Sequence, residues 1–326
     1  MVNFIPVSIV LQAKATTSRT LLAKFWSIHF GVSQSAMGAS ESREAQKVVV
    51  RHRNDFLKFG KSDFVQSSRE ALENEHSENT KTALVVVNGI ELLDEGEMGW
   101  IKRAWSSFDT KVCADGGSNR LHDSIKTDQD RGTMLPDHII GDLDSARDEV
   151  LSYYRDKGVT ITEVPSQDNM DLEKSLDLLC ALQSAEEEDG TQGTKRMTVV
   201  VAGAFGGRFD QEMANCNCLF KYLDRFESVV LLGAGNSVTL LKGGAEVEHL
   251  IEMVPGIEGP GCSLLPIGSH ASSVTTSGLH WDVQDCPFHF GGLVSSSNRA
   301  AKEKQDGGVI SVKTSHPLIW SCDLAL

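Results

Sequence analysis

From Thr82 onward the chain alternates short apolar runs with segments whose apolar residues recur every three or four positions. The runs TALVVVNG (82–89), TKVCADGG (110–117), DHIIGD (137–142), VTITEV (159–164), MTVVVAG (197–203) and SVVLLG (228–233) are rich in β-branched residues and mostly apolar on both faces. That pattern predicts strands covered by helices on either side. Between them, Ser145 to Lys157 opens with Ser145 three residues before Asp148, carries Val150, Leu151 and Tyr154 on one face and stops at Gly158. Both ends of a helix are thus signalled. Asp171 to Ala185 aligns Leu172, Leu176 and Leu179, and Asp210 to Phe226 aligns Cys216, Leu219, Phe220 and Leu223, two further helical stripes. After Gly233 the helical period disappears. SVTLL (237–241), CSLLPI (262–267), SSVTTSG (272–278), FHFGGLVSS (288–296) and GVISVKT (308–314) predict short antiparallel strands.

The expected fold class is therefore α/β: a parallel-sheet domain over residues 81–235, followed by a C-terminal antiparallel β-sandwich or barrel domain over 236–326. Residues 1–80 are expected to be an extension, with at most one short helix in the polar stretch 41–80. Residues 1–40 contain no Asp or Glu but carry Lys14, Arg19 and Lys24 among Ser, Thr and apolar residues. A cleavable organellar transit segment, a poorly ordered extension and an upstream start with Met37 as the working one all fit. The location expected is cytoplasmic, with organellar import through 1–40 as the alternative.

Composition narrows the classes of function. A chain of 326 residues with 40% hydrophobic content can bury two cores. Its formal net charge of −14 argues against a duplex nucleic-acid binder, which needs a basic surface. The seven cysteines include no Cys-x-x-Cys pair, so neither a zinc ligand set nor an even disulfide framework is indicated, and they read as reduced thiols. No apolar run approaches the roughly 20 residues of a membrane-spanning helix.

Ligands of an open parallel sheet bind outside the carboxyl ends of its strands. That rim should carry Asn88-Gly89, Asp115-Gly116-Gly117, Gly141-Asp142-Leu-Asp144, Gln167-Asp168 with Asp171, and Gly203 through Gly206-Gly207-Arg208 to Asp210. If the strand conformation persists past Gly141, Asp142 and Asp144 project to the same side, roughly 6.5 Å apart along the backbone. Two repelling carboxylates so placed suit one Mg²⁺, which takes one or two carboxylates plus substrate phosphates. The alternative for Asp144 is capping of the helix that follows, which leaves Asp142 unexplained. Asp171 and Lys174 share a helix face, where a plain ion pair is the commoner meaning. AGAFGGRFDQ (202–211) has the mechanics of a phosphate loop leading into a helix amino terminus, with Arg208 as the phosphate fork. Asp210 is open between helix cap, metal ligand and orienter of Arg208.

The motifs ADGGSNRL (114–121), LPDHIIGDLDS (135–145), PSQDNMDLEKSL (165–176), GRFDQ (207–211), TTSGLHW (275–281), LVSSSN (293–298) and HPLIW (316–320) occur in order. Together they resemble the thiamine pyrophosphokinase (thiamine diphosphokinase) family, over about Ala83 to Trp320. The resemblance implies a homodimer whose site lies between the α/β domain of one subunit and the β-sandwich of the other. It implies transfer of the terminal diphosphoryl group of ATP to the thiamine hydroxyl, giving thiamine diphosphate and AMP, with Mg²⁺ required. Asp142, Asp144 and Asp171 would hold Mg²⁺, Asp171 would also accept the hydroxyl proton, and Arg208 and Lys174 would offset charge on the transferred group. Asn88, Asp115, Gly116, Gly117, Gln167, Asp168 and Asp210 would seat the nucleotide. Trp281 would stack on the vitamin, with Ser277, Ser296 and Asn298 bonding its pyrimidine. Two departures touch the nucleotide loop: Ser166 stands where an acidic residue is common, and the loop reads Ala-Phe-Gly (204–206) where Gly-Leu-Ala is commoner.

Three rivals are distinguishable. A Mg²⁺-dependent nucleotide-sugar transferase would use the Asp-x-Asp pair without the Gly-Arg-Phe-Asp loop or Trp281. A haloacid-dehalogenase-type phosphatase would want Thr or Val where Ala146 stands. A non-catalytic thiamine-binding protein would keep Trp281 and Asn298 and lose carboxylates.

Overall fold

The computed structural model describes residues 47–60, 80–89, 95–188, 195–305 and 307–325. The transit-like stretch 1–40 lies outside the described residues. The strands are β1 (Val48–Arg53), β2 (Thr80–Val86), β3 (Thr110–Ala114), β4 (His138–Gly141), β5 (Thr160–Glu163), β6 (Lys195–Ala202), β7 (Ser228–Gly233), β8 (Asn236–Leu241), β9 (Val247–Glu252), β10 (Glu258–Leu265), β11 (Ala271–Ser277), β12 (Cys286–Phe288), β13 (Ser295–Arg299), β14 (Val309–Thr314) and β15 (Leu318–Leu324). The helices are α1 (Glu95–Ala104), α2 (Gly117–Ser124), α3 (Asp128–Thr133), α4 (Asp148–Asp156), α5 (Asp171–Glu188) and α6 (Phe209–Lys221).

The runs apolar on both faces form one set of parallel pairings, in the order β7-β6-β2-β3-β4-β5. Successive residues of β2 show why both faces had to be apolar. Leu84 and Val86 join a core with Met98, Trp100 and Ile101 of α1 and Val150, Leu151 and Tyr154 of α4. Ala83 and Val85 join a second core with Leu172, Leu176 and Leu179 of α5 and Cys216 and Leu219 of α6. From β2 the chain runs outward through β3, β4 and β5, then returns to β6 on the other side of β2. The direction reverses between β2 and β6, the position at which open sheets of this kind form their ligand crevice, although the two loops meet closely at one point, where a Cβ on Gly89 would lie 2.2 Å from the Gly203 carbonyl oxygen.

Two expectations are revised. The parallel pairings end at β7, but the sheet does not, because β7 turns into β8 through Ala234 and Gly235, both at positive φ, and pairs with it antiparallel. One ten-stranded sheet thus continues through β8, β15 and β10 to β13, and the two regions share it. A second, five-stranded sheet, β1-β9-β14-β11-β12, contributes Ile251, Val274, Ile310 and Val312 to a third core, which Leu264, Leu318 and Trp320 complete from the first sheet.

The second revision is β1 and the 3-10 turn after it, Asp55–Gly60, in a stretch expected to hold at most one short helix. β1 pairs parallel with β9 at the edge of the five-stranded sheet, while Phe56 and Leu57 bury in the core beside Trp100, whose Nε1 donates to the Leu57 carbonyl at 3.1 Å. Burying each such side chain is worth about 1.5–3 kcal/mol. VVVRHR lacks a strand's usual apolar alternation because only Val50 and His52 of β1 are partly covered.

A histidine contact, His52 with His249, reinforces this pairing. His249 Nε2 lies 2.7 Å from the Lys242 carbonyl, which can only accept, so its Nδ1 accepts from His52 Nε2 at 2.8 Å. Burial, then the neighbouring His249, lowers the His52 pKa from 6.5 to about 3, and burial lowers that of His249. Below pH 6.5 the unfolded chain binds protons that the folded pair refuses, so this contribution is full above pH 6.5 and is lost as pH falls toward 3. His52→Gln should make the fall in unfolding free energy between neutral and mildly acid pH shallower, by up to about 1.4 kcal/mol per pH unit, in urea titrations across that range.

Candidate functional site

Asp115 follows β3 at φ 43°, and its buried carboxylate accepts the Ser145 and Ala146 amides at 3.2 and 3.1 Å. It therefore anchors the turn that follows the neighbouring strand. β4 stops at Gly141, and Leu143 at φ 62° turns the chain. The extended conformation needed to place Asp142 and Asp144 on one side is interrupted. Asp144 is exposed and accepts from the Ser145 hydroxyl at 3.0 Å; it caps no helix, since α4 begins only at Asp148 with Arg147 at its cap position.

The carboxylate that joins Asp142 and Asp171 is instead Asp115: one oxygen from each of the three lies within 4.8 Å of the others. Gly141 makes this approach possible, because a Cβ there would lie 2.6 Å from the Asp115 Cβ and 3.2 Å from Asp171 Oδ1. Lys174, one turn along α5 and almost fully buried, places its ammonium 2.9 Å from Asp171 and 3.7 Å from Asp142. In this state the repelling carboxylates are thus held together partly by the chain's own cation. Gln167 adds an amide hydrogen bond to Asp142.

These surroundings pull the carboxyls apart electrostatically. Burial, followed by the charge of Asp171, raises the Asp115 pKa, and its two amide hydrogen bonds offset part of the rise. Partial burial also pulls Asp142 upward, but the Gln167 bond and Lys174 outweigh it and leave Asp142 below the ordinary carboxylate range. Three close carboxylate oxygens are hard donors of the kind Mg²⁺ selects. The three carboxylates share one buried ammonium, that of Lys174. The donor set fits a divalent cation.

At the crevice, Asn88 accepts from Arg120 Nε at 2.9 Å, while a Cβ on Gly116 would lie 2.5 Å from the Asn88 amide nitrogen and one on Gly117 2.1 Å from the Val86 carbonyl. These glycines let α2 begin directly against the end of β2. Asp168 turns back on Ser166, its amide 3.2 Å from the Ser166 hydroxyl. In the loop after β6, Arg208 and Asp210 form an exposed ion pair with each other, so Asp210 orients Arg208 in this structure. Glu212 was absent from the sequence-derived set, although it accepts the Gly206 and Gly207 amides at 2.9 and 3.1 Å. The amides expected to be free for phosphate are therefore occupied by a side chain from α6. No local spacing marks it: with Arg208 at the cap position the capping-box residue is Gln211, and Glu212 lies one beyond it.

Trp281 is 55% exposed. Asn298, by contrast, is buried and fully committed: its amide donates to the Trp281 carbonyl (3.0 Å) and Ser295 hydroxyl (3.1 Å) and accepts from the Trp281 and Arg299 amides (3.3 and 2.9 Å). An asparagine amide has no further capacity. In this structure Asn298 is a strut for the Trp281 turn, with its hydrogen-bonding capacity taken up inside the protein. Ser277 and Ser296 are exposed at the end of β11 and within β13.

Residues 101–231 match the family profile described as thiamin pyrophosphokinase, catalytic domain, and residues 248–319 match thiamin pyrophosphokinase, vitamin B1 binding domain. The chain is 34% identical over 259 residues to thiamine pyrophosphokinase 1 of Arabidopsis thaliana, covering 77% of this chain and 89% of that one. It is 36% identical over 228 residues to thiamine pyrophosphokinase 1 of Oryza sativa subsp. japonica, covering 68% and 81%. Among solved structures, yeast thiamin pyrophosphokinase superposes with a TM-score of 0.66 at 24% identity, over 86% of this chain and 93% of that one. The last comparison establishes likeness of fold.

Proposed function

The chain belongs to the thiamine pyrophosphokinase family and is an ATP:thiamine diphosphotransferase, and from that premise we propose that it works at the Asp115–Asp142–Asp171 rim with thiamine held at Trp281. The observation that carries this reading is the meeting of three carboxylate oxygens within 4.8 Å where parallel strands end. Asp115, Asp142 and Asp171 would hold Mg²⁺, which when bound neutralises the ATP triphosphate and stabilises charge on the transferred group. Asp144, two residues past Asp142 and exposed beyond the Leu143 bend, is left a secondary part.

The remaining work falls to side chains. Lys174 offers an ammonium beside the carboxylates and keeps positive charge where phosphoryl oxygens must approach. Arg208, released from Asp210, can fork onto a phosphate, and it is the loop's available donor because Glu212 occupies the two glycine amides. Asp171, the more exposed of the Lys174 partners at 35% against 13% for Asp142, is the carboxylate we assign to take the thiamine hydroxyl proton. Gln167 fixes Asp142, and Asn88 with the Asp115-Gly-Gly117 turn seats the nucleotide in the crevice. Diphosphoryl transfer needs chiefly positioning and electrostatic stabilisation, which this arrangement supplies.

We read the region after Gly233 as the β-sandwich that holds thiamine. Trp281, Phe290 and Leu293 are large exposed apolar residues within thirteen positions of one another, a surface suited to closing over a site in a second subunit of a homodimer. Stacking and cation–π attraction suit a flat cationic vitamin. Trp281→Ala should raise the thiamine KM by about ten- to a hundred-fold, the range of losses seen when an aromatic stacking partner is removed, with kcat less affected. No helix among the described residues is long and apolar enough to cross a membrane. We place the enzyme in the cytoplasm, with import through 1–40 as the alternative, which a carboxyl-terminal fluorescent tag with and without residues 1–36 tests.

The activity itself is checked by AMP release from ATP and Mg²⁺ with and without thiamine. Release that depends on thiamine is expected; equal release in both, or ADP as the sole product, contradicts the reading.

A further inference from the structure

The turn that carries Trp281 is unusually well tied for a surface turn. Asp282 accepts the Gly278 and Leu279 amides at 3.0 and 3.1 Å and the Thr276 hydroxyl at 2.8 Å. The His280 amide donates to the Arg299 carbonyl at 2.8 Å, the Ala301 amide to Gly278 at 2.9 Å, and Leu279 bridges Ala300. Asn298 grips both backbone groups of Trp281. An exposed indole is thus fixed at its base, and its ring needs only one more restraint.

That restraint is Arg299. Its guanidinium carbon lies 5.4 Å from the Trp281 ring centroid, and the His280 ring meets the indole edge-on at 4.4 Å and 90°. With both in place Trp281 remains 55% exposed, so the guanidinium lies over the indole while more than half of the side chain stays accessible. We infer that Arg299 is a positioning residue for the transfer reaction: it holds the indole from behind so that thiamine stacks on the opposite face. The inference rests on the assignment of Trp281 as the vitamin's platform. Asn298 and Arg299, adjacent on β13, divide the task, the first fixing the backbone and the second the ring.

The test uses the full chain and compares Arg299→Ala, Arg299→Met, Arg299→Lys and Trp281→Ala in steady-state kinetics, varying thiamine and ATP separately. Exposed cation–π contacts are weak, so Arg299→Ala and Arg299→Met should raise the thiamine KM about two- to fivefold and leave kcat and the ATP KM unchanged. Arg299→Lys, which keeps a cation over the ring, should restore most of the loss, whereas Met, which keeps only an apolar stem, should not. An unchanged or lowered thiamine KM in both Arg299→Ala and Arg299→Met, with Trp281→Ala impaired, would overturn the role of Arg299 and leave the platform intact. An unimpaired Trp281→Ala would overturn the platform itself.

Discussion

Asp142→Asn is expected to lower the rate of thiamine-dependent AMP formation by about a thousandfold, while thiamine binding to the same protein stays measurable. The size follows from the several kcal/mol that a divalent cation contributes to stabilising charge in phosphoryl-type transfer. Asp142 is held below the ordinary carboxylate range, so at neutral pH it is a committed anion with an oxygen facing those of Asp115 and Asp171. An amide in its place offers a poorer ligand and no charge. The accompanying loss of the Gln167 contact is minor by comparison, because that contact lies at an exposed residue. Thiamine binding is spared because the Trp281 turn is built by other strands. The comparison is made by AMP formation under saturating substrates and by quenching of tryptophan fluorescence with thiamine alone.

The second large effect is on stability. Lys174 is almost fully buried between Asp171 and Asp142, and removing one partner of a buried charge cluster is costly because the remaining charges lose compensation. The full penalty, roughly 3–5 kcal/mol, applies to fully buried pairs; Asp171 is about a third exposed. Lys174→Met should therefore destabilise the protein by about 1–3 kcal/mol without divalent cation. Mg²⁺ at millimolar concentration should recover a larger share of the loss in the variant than it adds to the wild type, because the ion would supply the missing charge. Thermal unfolding with and without Mg²⁺ measures this, and an equal Mg²⁺ response in both proteins would count against a cation at this cluster.

The sequence made the parallel strands legible because runs such as TALVVV alternate residues between two cores, and each face has to be apolar. Asp142 and Asp171 were legible for a related reason: they directly follow or precede regular elements whose ends the pattern marks. Asp115 was visible only as a nucleotide-turn residue. Its place in the carboxylate group depends on the pairing of β3 with β4 and on the left-handed Leu143, neither of which a local pattern encodes. The same Leu143 conformation defeated the period-two argument for Asp144. β1 was missed because an edge strand covered on one side needs little apolar alternation, and the commitment of Asn298 to the Trp281 turn was invisible because its four partners come from backbone and side-chain groups that meet only in the folded turn. Glu212 shows the same limit, since a carboxylate that fills a glycine loop looks in sequence like any helix Glu.

Direct binding decides which carboxylates hold the cation. Mn²⁺, a spectroscopic substitute with the same preference for oxygen donors, can be titrated into the full chain by electron paramagnetic resonance, with a non-transferable ATP analogue present. Asp115→Asn, Asp142→Asn and Asp171→Asn are each expected to weaken binding strongly, and Asp144→Asn to weaken it little. Strong loss in Asp144→Asn together with near wild-type binding in Asp115→Asn would contradict the site described.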